Sequence, residues 1–355
     1  MKIIHTSDLH LASALTSRLS SDRVRERKRE LMDGFRKTVS EAEKIGAAAI
    51  IIAGDLFDSE RASGETVEQV LTVMERAQDI LFFYLPGNHE GRLIEKSGRH
   101  LPKNLLIFKD EWTYFKLGDI NIIGRSETKE NMFSELSLSE KEKNIVVLHG
   151  ELREHSEENG VIGVKELSYL PIDYLALGHY HTYSYHTLSE RTTAVYPGTP
   201  EGRGFDETGD KGYVIMEVDR YGIYHQFRQS AKRALRIAEV DITALERRID
   251  IEDRIEESVS KIHECDLVRV VLKGKRPLGI RYDIDSLTSL WKTRFYYFEL
   301  KDDTRVSFCA DDFKNDKSLK GEFIRGVLAD DSLSDDIKEN VITMGLRALL
   351  GEEVD

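Results

Sequence analysis

Seven side chains with metal-binding chemistry sit just after five short apolar runs of this chain. Asp8 and His10 follow Ile3-Ile4, Asp55 follows Ala47 to Ala53, Asn88 follows Ile80 to Leu85, His149 follows Ile145 to Leu148, and His179 and His181 follow Tyr174 to Leu177. Asp8/His10 and His179/His181 are each two apart, so extended backbone would turn both members of a pair to one side. All seven offer oxygen or imidazole and none offers sulfur, a set that suits Mn²⁺, Fe or Zn²⁺ and disfavours a structural zinc site. A lone histidine is more often a satisfied core or turn residue, but five such blocks in order point to a two-metal centre. Each ion obtains four ligands if one carboxylate is shared, and Asp55 is the natural bridge. Two divalent ions set against two carboxylates leave the centre at about +2, which would attract a phosphodiester and acidify a bridging water.

Residues at strand ends need strands to carry them. The stretch Ala47 to Asp58, AAAIIIAGDLFD, runs through seven apolar residues without a polar break and stops at Gly54-Asp55. A short β-branched run predicts a strand buried on both faces, and it is too short to span a membrane. Glycine lets the backbone turn, and Asp55 is presented at the carboxyl end of the strand, where open α/β sheets place ligands. Lys2 to Thr6, Leu105 to Phe108, Trp112 to Leu117, Ile120 to Gly124, Thr193 to Tyr196, Gly212 to Val218 and Gly222 to Arg228 read as further strands. Amphipathic helices are predicted over Asp22 to Ile45, where Val24, Leu31, Phe35, Val39 and Ala42 fall at helical spacing, and near Gly64 to Gln78. Helix-linked strands mixed with hairpins predict an α/β fold of two packed sheets flanked by helices over residues 1–230. A small α/β unit is expected over 235–300, and an acidic helical segment over 301–355.

The 355-residue length allows about two domains, and apolar and charged fractions of 40% and 32% are those of an ordered globular chain. No apolar segment approaches the ~20 residues of a transmembrane helix, so a cytoplasmic protein is expected. The only cysteines, Cys265 and Cys309, match no metal or redox spacing, which suits a reducing compartment. A net charge of −13 argues against a generic polyanion-binding surface. The charge is uneven, however. Arg18, Arg23, Arg25, Arg27, Lys28, Arg29, Arg36 and Lys37 cluster together, and read equally as a nucleic-acid face or as the solvated side of a helix. From Lys301 to Asp355 there are 14 acidic against 8 basic residues.

The blocks DLH, GDLFD, GNHE, LHGE and GHYH resemble the motif series of calcineurin-like metallophosphoesterases. The longer forms, His5 to Leu11 and Tyr196-Pro197-Gly198-Thr199-Pro200-Glu201-Gly202-Arg203 with Gly209-Asp210-Lys211-Gly212, resemble the SbcD/Mre-type branch that repairs DNA double-strand breaks. The resemblance covers the chain to about Arg228, and continues more weakly through Leu267 to Gly274 and Leu319 to Phe323. It implies a four-layer αββα sandwich with a small α/β capping domain. It also implies that Asp8, His10, Asp55 and His181 hold one ion, that Asp55, Asn88, His149 and His179 hold the other, and that His89 serves as the acid or transition-state stabiliser. The family usually uses two Mn²⁺ per chain, dimerises, and works with an SMC-like coiled-coil ATPase. This chain has no Walker A pattern and no long heptad run, so that ATPase would be a separate chain. Asp58 stands where some members carry a DNA-contacting histidine, and with Arg203 it is the candidate DNA contact. Ala12 replaces a glycine often found after DLHL, which reads as a tolerated turn variation.

The expected activity is therefore metal-dependent hydrolysis of DNA phosphodiesters, as exonuclease and single-strand endonuclease. One rival is a small-molecule or phosphoprotein esterase using the same metals, for which a capping domain would be superfluous. A second is a non-catalytic DNA-end scaffold, against which the complete ligand set weighs.

Overall fold

The computed structural model describes the chain apart from residues 16–18, 130–131, 156–157, 244, 246, 278–279, 281, 308–309, 350 and 352–355, so Arg18 and Cys309 lie outside the described residues. It divides into two compact units, Met1–Ala234 and Leu235–Asp355.

The first unit runs β1 (Lys2–Thr6), α1 (Ser21–Ile45), β2 (Ala49–Ala53), α2 (Gly64–Arg76), β3 (Leu81–Leu85), α3 (Leu93–Lys96), β4 (Leu105–Ile107), β5 (Thr113–Leu117), β6 (Ile120–Gly124) and β7 (Lys143–His149). It continues through β8 (Glu151–Arg153), β9 (Val161–Gly163), α4 (Val164–Leu167), β10 (Tyr174–Gly178), β11 (Ser184–Thr187), β12 (Thr193–Tyr196), β13 (Gly212–Val218) and β14 (Ile223–Gln229). Two six-stranded sheets result, ordered β14-β13-β1-β2-β3-β4 and β11-β12-β10-β7-β6-β5. The expected α/β architecture of two sheets flanked by helices is thus observed.

Burial on both faces explains the unbroken apolar runs. In β2, Ala49, Ile51 and Ala53 pack against Ile122, Ile145, Val147 and Ala176 of the other sheet. Its remaining residues, Ile50 and Ile52, pack against Leu31, Phe35, Val39, Val67 and Met74 of α1 and α2. The far side of the second sheet is covered by the short helix α4 and a 3-10 turn at Met132–Glu135, through Leu167, Met132 and Phe133. Helix α1 ends at Gly46, whose left-handed φ of 65° lets its N–H reach back into the last turn and aims the chain into β2. Strand β11 was not anticipated. Its residues, Ser184-Tyr185-His186-Thr187, are half-buried or exposed on a sheet edge, so no apolar alternation marks them.

The basic cluster on α1 is not uniformly a surface. Arg27 is only 1% exposed, with Glu30 and the Gly202 carbonyl as hydrogen-bond acceptors.

The second unit runs β15 (Leu235–Asp241), α5 (Arg248–Val259), β16 (Leu267–Lys273), β17 (Lys275–Pro277), α6 (Ile284–Lys292), β18 (Tyr297–Asp302), β19 (Arg305–Ser307), α7 (Leu319–Leu328) and α8 (Asp335–Leu349). A parallel sheet β15-β16-β18 packs on α5 and α6 through Val268, Val270, Leu272, Ile251, Ile255, Leu287 and Trp291. The terminal helices form their own small core, in which Ile324, Ile342 and Leu346 meet Val306 and Phe313. Leu319, Leu328, Ile337, Met344 and Leu349 remain exposed. Among the described residues, no helix is long and apolar enough to cross a membrane.

Candidate metal centre

Strands β1, β2 and β3 are mutually parallel, as are β7 and β10, so the loops that follow them gather at common sheet edges. The Asp8 and His10 amides donate to the Gly54 and Asp55 carbonyls at 3.1 and 2.9 Å, locking the first two loops together. Gly54 has φ of 91°, and a β-carbon there would lie 2.0 Å from His149 Nδ1, so both conformation and space demand glycine. Gly87 is constrained by space alone, since a β-carbon would lie 2.0 Å from Asp55 Oδ1.

The backbone at the ligand positions differs from the extended conformation expected. Asp8, His10, Asp55 and His179 have φ of 53°, 44°, 50° and 110°. Each lies in a region costly for a non-glycine residue, by about 1–3 kcal/mol, and such strain concentrates where a site over-determines the backbone. The pairs Asp8/His10 and His179/His181 converge because tight turns aim them, not because alternate strand residues share a face. Ala12 is also left-handed, at φ of 68°, a conformation that a glycine would adopt without strain.

Two clusters form. Asp8, His10 and His181 make one, and Asp8, Asp55 and His149 the other, each with its ligand atoms within 4.8 Å of one another. Asp55 Oδ2 lies 3.7 Å from His10 Nε2 and 3.3 Å from His149 Nε2, so it faces both. His181 Nε2 is 3.8 Å from Asp8 Oδ1. The His179 amide donates to both Asp8 oxygens at 3.1 Å, while its ring stands 5.6 Å, centroid to centroid, from that of His149.

The histidine tautomers follow from their outer partners. His149 Nδ1 donates to the Ala53 carbonyl at 2.9 Å, so its buried Nε2, beside Asp55 Oδ2, is the nitrogen open to a metal ion or, without one, to a second proton. His181 Nδ1 lies 2.8 Å from Glu207 Oε1, and His10 Nδ1 lies 3.3 Å from Asp58 Oδ1. Their Nε2 atoms then point at each other across 3.2 Å. One of the two donates to the other, while His10 Nδ1 and His149 Nε2 are buried without a hydrogen bond, and imidazoles so gathered around Asp8 and Asp55 fit divalent metal ions.

Burial raises the Asp55 carboxyl, but its contact with His149 and the charges of His149, His10 and His89 overcome this and hold it at about 2. The anionic form of Asp55 is thus favoured, and Asp8 is the carboxylate common to the two clusters.

Asn88 and His89 lie on a turn after β3, not in extended backbone, and both are exposed there. The His89 amide faces Asp55 Oδ1 at 3.3 Å, and its Nε2 is 4.0 Å from Asp55 Oδ2. Its ring meets the His10 ring edge-on at 5.2 Å. His89 therefore borders the same centre from the solvent side. Glu90 behind it is fully buried and accepts from the amides of Gly87 and Phe57, tying the GNHE turn to the GDLFD turn. Its place in the GNHE block was visible, but its bracing role was not.

Asp58 and Arg203 are committed to neighbours. Arg203 Nη1 donates to Asp58 Oδ1 at 2.8 Å, and its Nε and Nη2 donate to Glu207 Oε1 at 2.9 and 2.6 Å. Glu207 was missed by sequence reading, because a carboxylate in a polar loop carries no local sign of burial. It is only 3% exposed. Burial raises its carboxyl, but hydrogen bonds from His181 and Arg203 bring it down to about 2.

The family model described as Calcineurin-like phosphoesterase matches residues 1–183, just over half of the chain. The chain is 27% identical over 297 residues to the uncharacterized metallophosphoesterase YhaO of Bacillus subtilis, across 78% of this chain and 72% of that protein. It is 24% identical over 382 residues to the DNA double-strand break repair protein Mre11 of Saccharolobus solfataricus, across 100% of this chain and 96% of that one. The SbcD component of the nuclease SbcCD from Staphylococcus epidermidis is 25% identical over 261 residues, across 62% of this chain and 66% of that protein.

Proposed function

The chain belongs to the calcineurin-like phosphoesterase family, and from that premise we propose that it is a two-metal nuclease hydrolysing DNA phosphodiesters as exonuclease and single-strand endonuclease. The observation that carries the reading is the position of Asp55 Oδ2 within 3.7 Å of His10 Nε2 and 3.3 Å of His149 Nε2, one carboxylate facing both clusters. Asp8, His10, Asp55 and His181 would hold one ion, and Asp55, Asn88, His149 and His179 the other. When bound, two divalent cations supply positive charge for a phosphoryl oxygen and a water acidified enough to act as nucleophile near neutral pH. Imidazole-rich ligation suits Mn²⁺, with Fe or Zn²⁺ as alternatives, better than Mg²⁺. His89, at the solvent-facing rim, is placed to meet the departing oxygen with a proton or positive charge.

The Mre11 and SbcCD relatives support DNA as substrate, double-strand-break repair as setting and a complex with an SMC-like coiled-coil ATPase. A homodimer in the cytoplasm completes the proposal. The exposed Leu319 and Leu328 on α7 are candidates for docking that partner. Leu319→Glu with Leu328→Glu should abolish co-purification with it, and unchanged co-purification would place the docking site elsewhere.

The decisive experiment gives the purified protein Mn²⁺ and offers labelled single- and double-stranded DNA beside bis-p-nitrophenyl phosphate. Cleavage of DNA supports the nuclease. Cleavage of the small ester alone leaves a phosphodiesterase of another substrate class, and cleavage of neither leaves a DNA-end scaffold.

A further inference from the structure

The segment Tyr196 to Gly212 contributes no ligand to the centre, although it carries the most specific motif of the chain. What it does is surround one ligand, His181. The His181 carbonyl accepts from Lys211 Nζ at 2.6 Å and lies 3.4 Å from the Thr199 amide. Lys211 is 1% exposed, an uncommon place for an ammonium, and it points into this backbone. Gly198, at φ of 73°, lies so close that a β-carbon would stand 3.1 Å from the same carbonyl and 2.9 Å from the Tyr183 amide. The backbone of His181 is therefore clamped from one side.

Its ring is clamped from the other. Nδ1 faces Glu207 Oε1 at 2.8 Å and Arg203 Nη2 at 3.4 Å. A guanidinium only donates and a carboxylate only accepts, so the two contacts imply opposite tautomers. The shorter contact, to an anion, decides for a proton on Nδ1 and a bare Nε2. Glu207 is in turn fixed by the Arg203 amide and guanidinium, and the same guanidinium reaches Asp58, which faces His10 Nδ1. Asp58, Glu207 and Arg203 together leave one net negative charge behind two imidazoles. His149, by contrast, is backed by the neutral Ala53 carbonyl.

We infer that Glu207, held by Arg203, is a positioning residue for His181, that Asp58, 3.3 Å from a His10 Nδ1 that makes no hydrogen bond, adds negative charge without fixing that ring, and that this anionic backing makes the His10/His181 half of the centre the tighter of two unequal metal sites. The inference rests on the two-metal reading above. An outer carboxylate fixes the ring and raises the basicity of the ligating nitrogen, and losing such a partner typically weakens metal binding about 10–100-fold. It also gives Asp58 and Arg203 a task inside the protein, where the sequence had suggested DNA.

The test is Mn²⁺ titration of the full-length, metal-free protein by calorimetry, with the free ion followed by electron paramagnetic resonance. Wild type should bind two ions in two affinity classes. Glu207→Gln keeps the shape but removes the charge, and should weaken the tight class about 10–100-fold while leaving the weaker class and the melting temperature of the metal-free protein unchanged. Glu207→Asp should recover part of the loss. Should Glu207→Gln fail to fold, Asp58→Asn probes the same backing from the His10 side. Two ions bound by Glu207→Gln as tightly as by wild type would overturn the inference and leave the two-metal reading intact. A wild type that binds no divalent ion would overturn both.

Discussion

Asp55 and His149 approach to 3.3 Å, Oδ2 to Nε2, although one ends a strand of the first sheet and the other a strand of the second. The candidate centre thus draws its residues from strand ends of both sheets. Asp55→Asn keeps the side-chain shape and removes the charge. It should lose bound metal and hydrolysis together, with metal content measured by mass spectrometry. Full activity with two ions retained would refute the shared-ligand assignment.

His89 borders the centre without being enclosed by it, its Nε2 being 4.0 Å from Asp55 Oδ2 and its side chain half exposed. His89→Asn should therefore keep both metals and DNA binding while cleaving DNA about 10²–10⁴-fold more slowly, the usual worth of a positioned proton donor. The defect should shrink for a nitrophenyl ester, whose leaving group needs little help. An equal defect on both substrates, or a fall in metal content, would mean that His89 only braces its loop.

Glu30 on α1 accepts from Arg233 Nε at 3.0 Å and from Lys232 Nζ at 2.7 Å, and also pairs with Arg27. Burial raises its carboxyl, but these hydrogen bonds and the Arg27 charge leave it lowered. Arg27 and Arg233 are themselves buried. Glu30→Ala would remove a buried counter-charge from both, leaving Arg27 to Glu201 and the Gly202 carbonyl and Arg233 to Glu26, and should reduce unfolding free energy by about 1.5–3 kcal/mol, read as a shift in the urea midpoint. A loss under about 1 kcal/mol would show that water takes over the carboxylate's role.

His5 is fully buried in β1, its Nδ1 3.0 Å from the Tyr174 hydroxyl. Burial drives its pKa from 6.5 to about 3, with the charge of His225 lowering it further and a backbone hydrogen bond to Leu177 opposing. The unfolded chain therefore binds a proton near pH 6.5 that the folded chain refuses until about pH 3. Stability should be intact above pH 6.5 and fall below it, by up to about 1.4 kcal/mol per pH unit from this group. Urea midpoints between pH 7.5 and 5 should fall less steeply for His5→Gln than for wild type. Parallel slopes would mean that His5 is not the group responsible.

The candidate metal-binding positions and the strands that precede them were legible in the sequence because both are local, and Asp8, His10, Asp55, His149 and His181 fall in the two clusters. An apolar run such as Ala47 to Ala53 reports burial on two faces, and a polar residue directly after it marks a sheet edge, whatever the rest of the chain does. The turn conformations of Asp8, His10, Asp55 and His179 were not legible, since left-handed backbone at a non-glycine residue is imposed by surroundings against local preference. Nor were the roles of Glu207, Arg203 and Lys211, or the burial of Arg27. Each depends on a partner brought from far along the chain: Arg203 meets Asp58 across 145 residues, and Arg233 meets Glu30 across 203. A charged side chain in a polar stretch looks solvated until the fold supplies its counter-charge and removes the water, and only the tertiary structure does both.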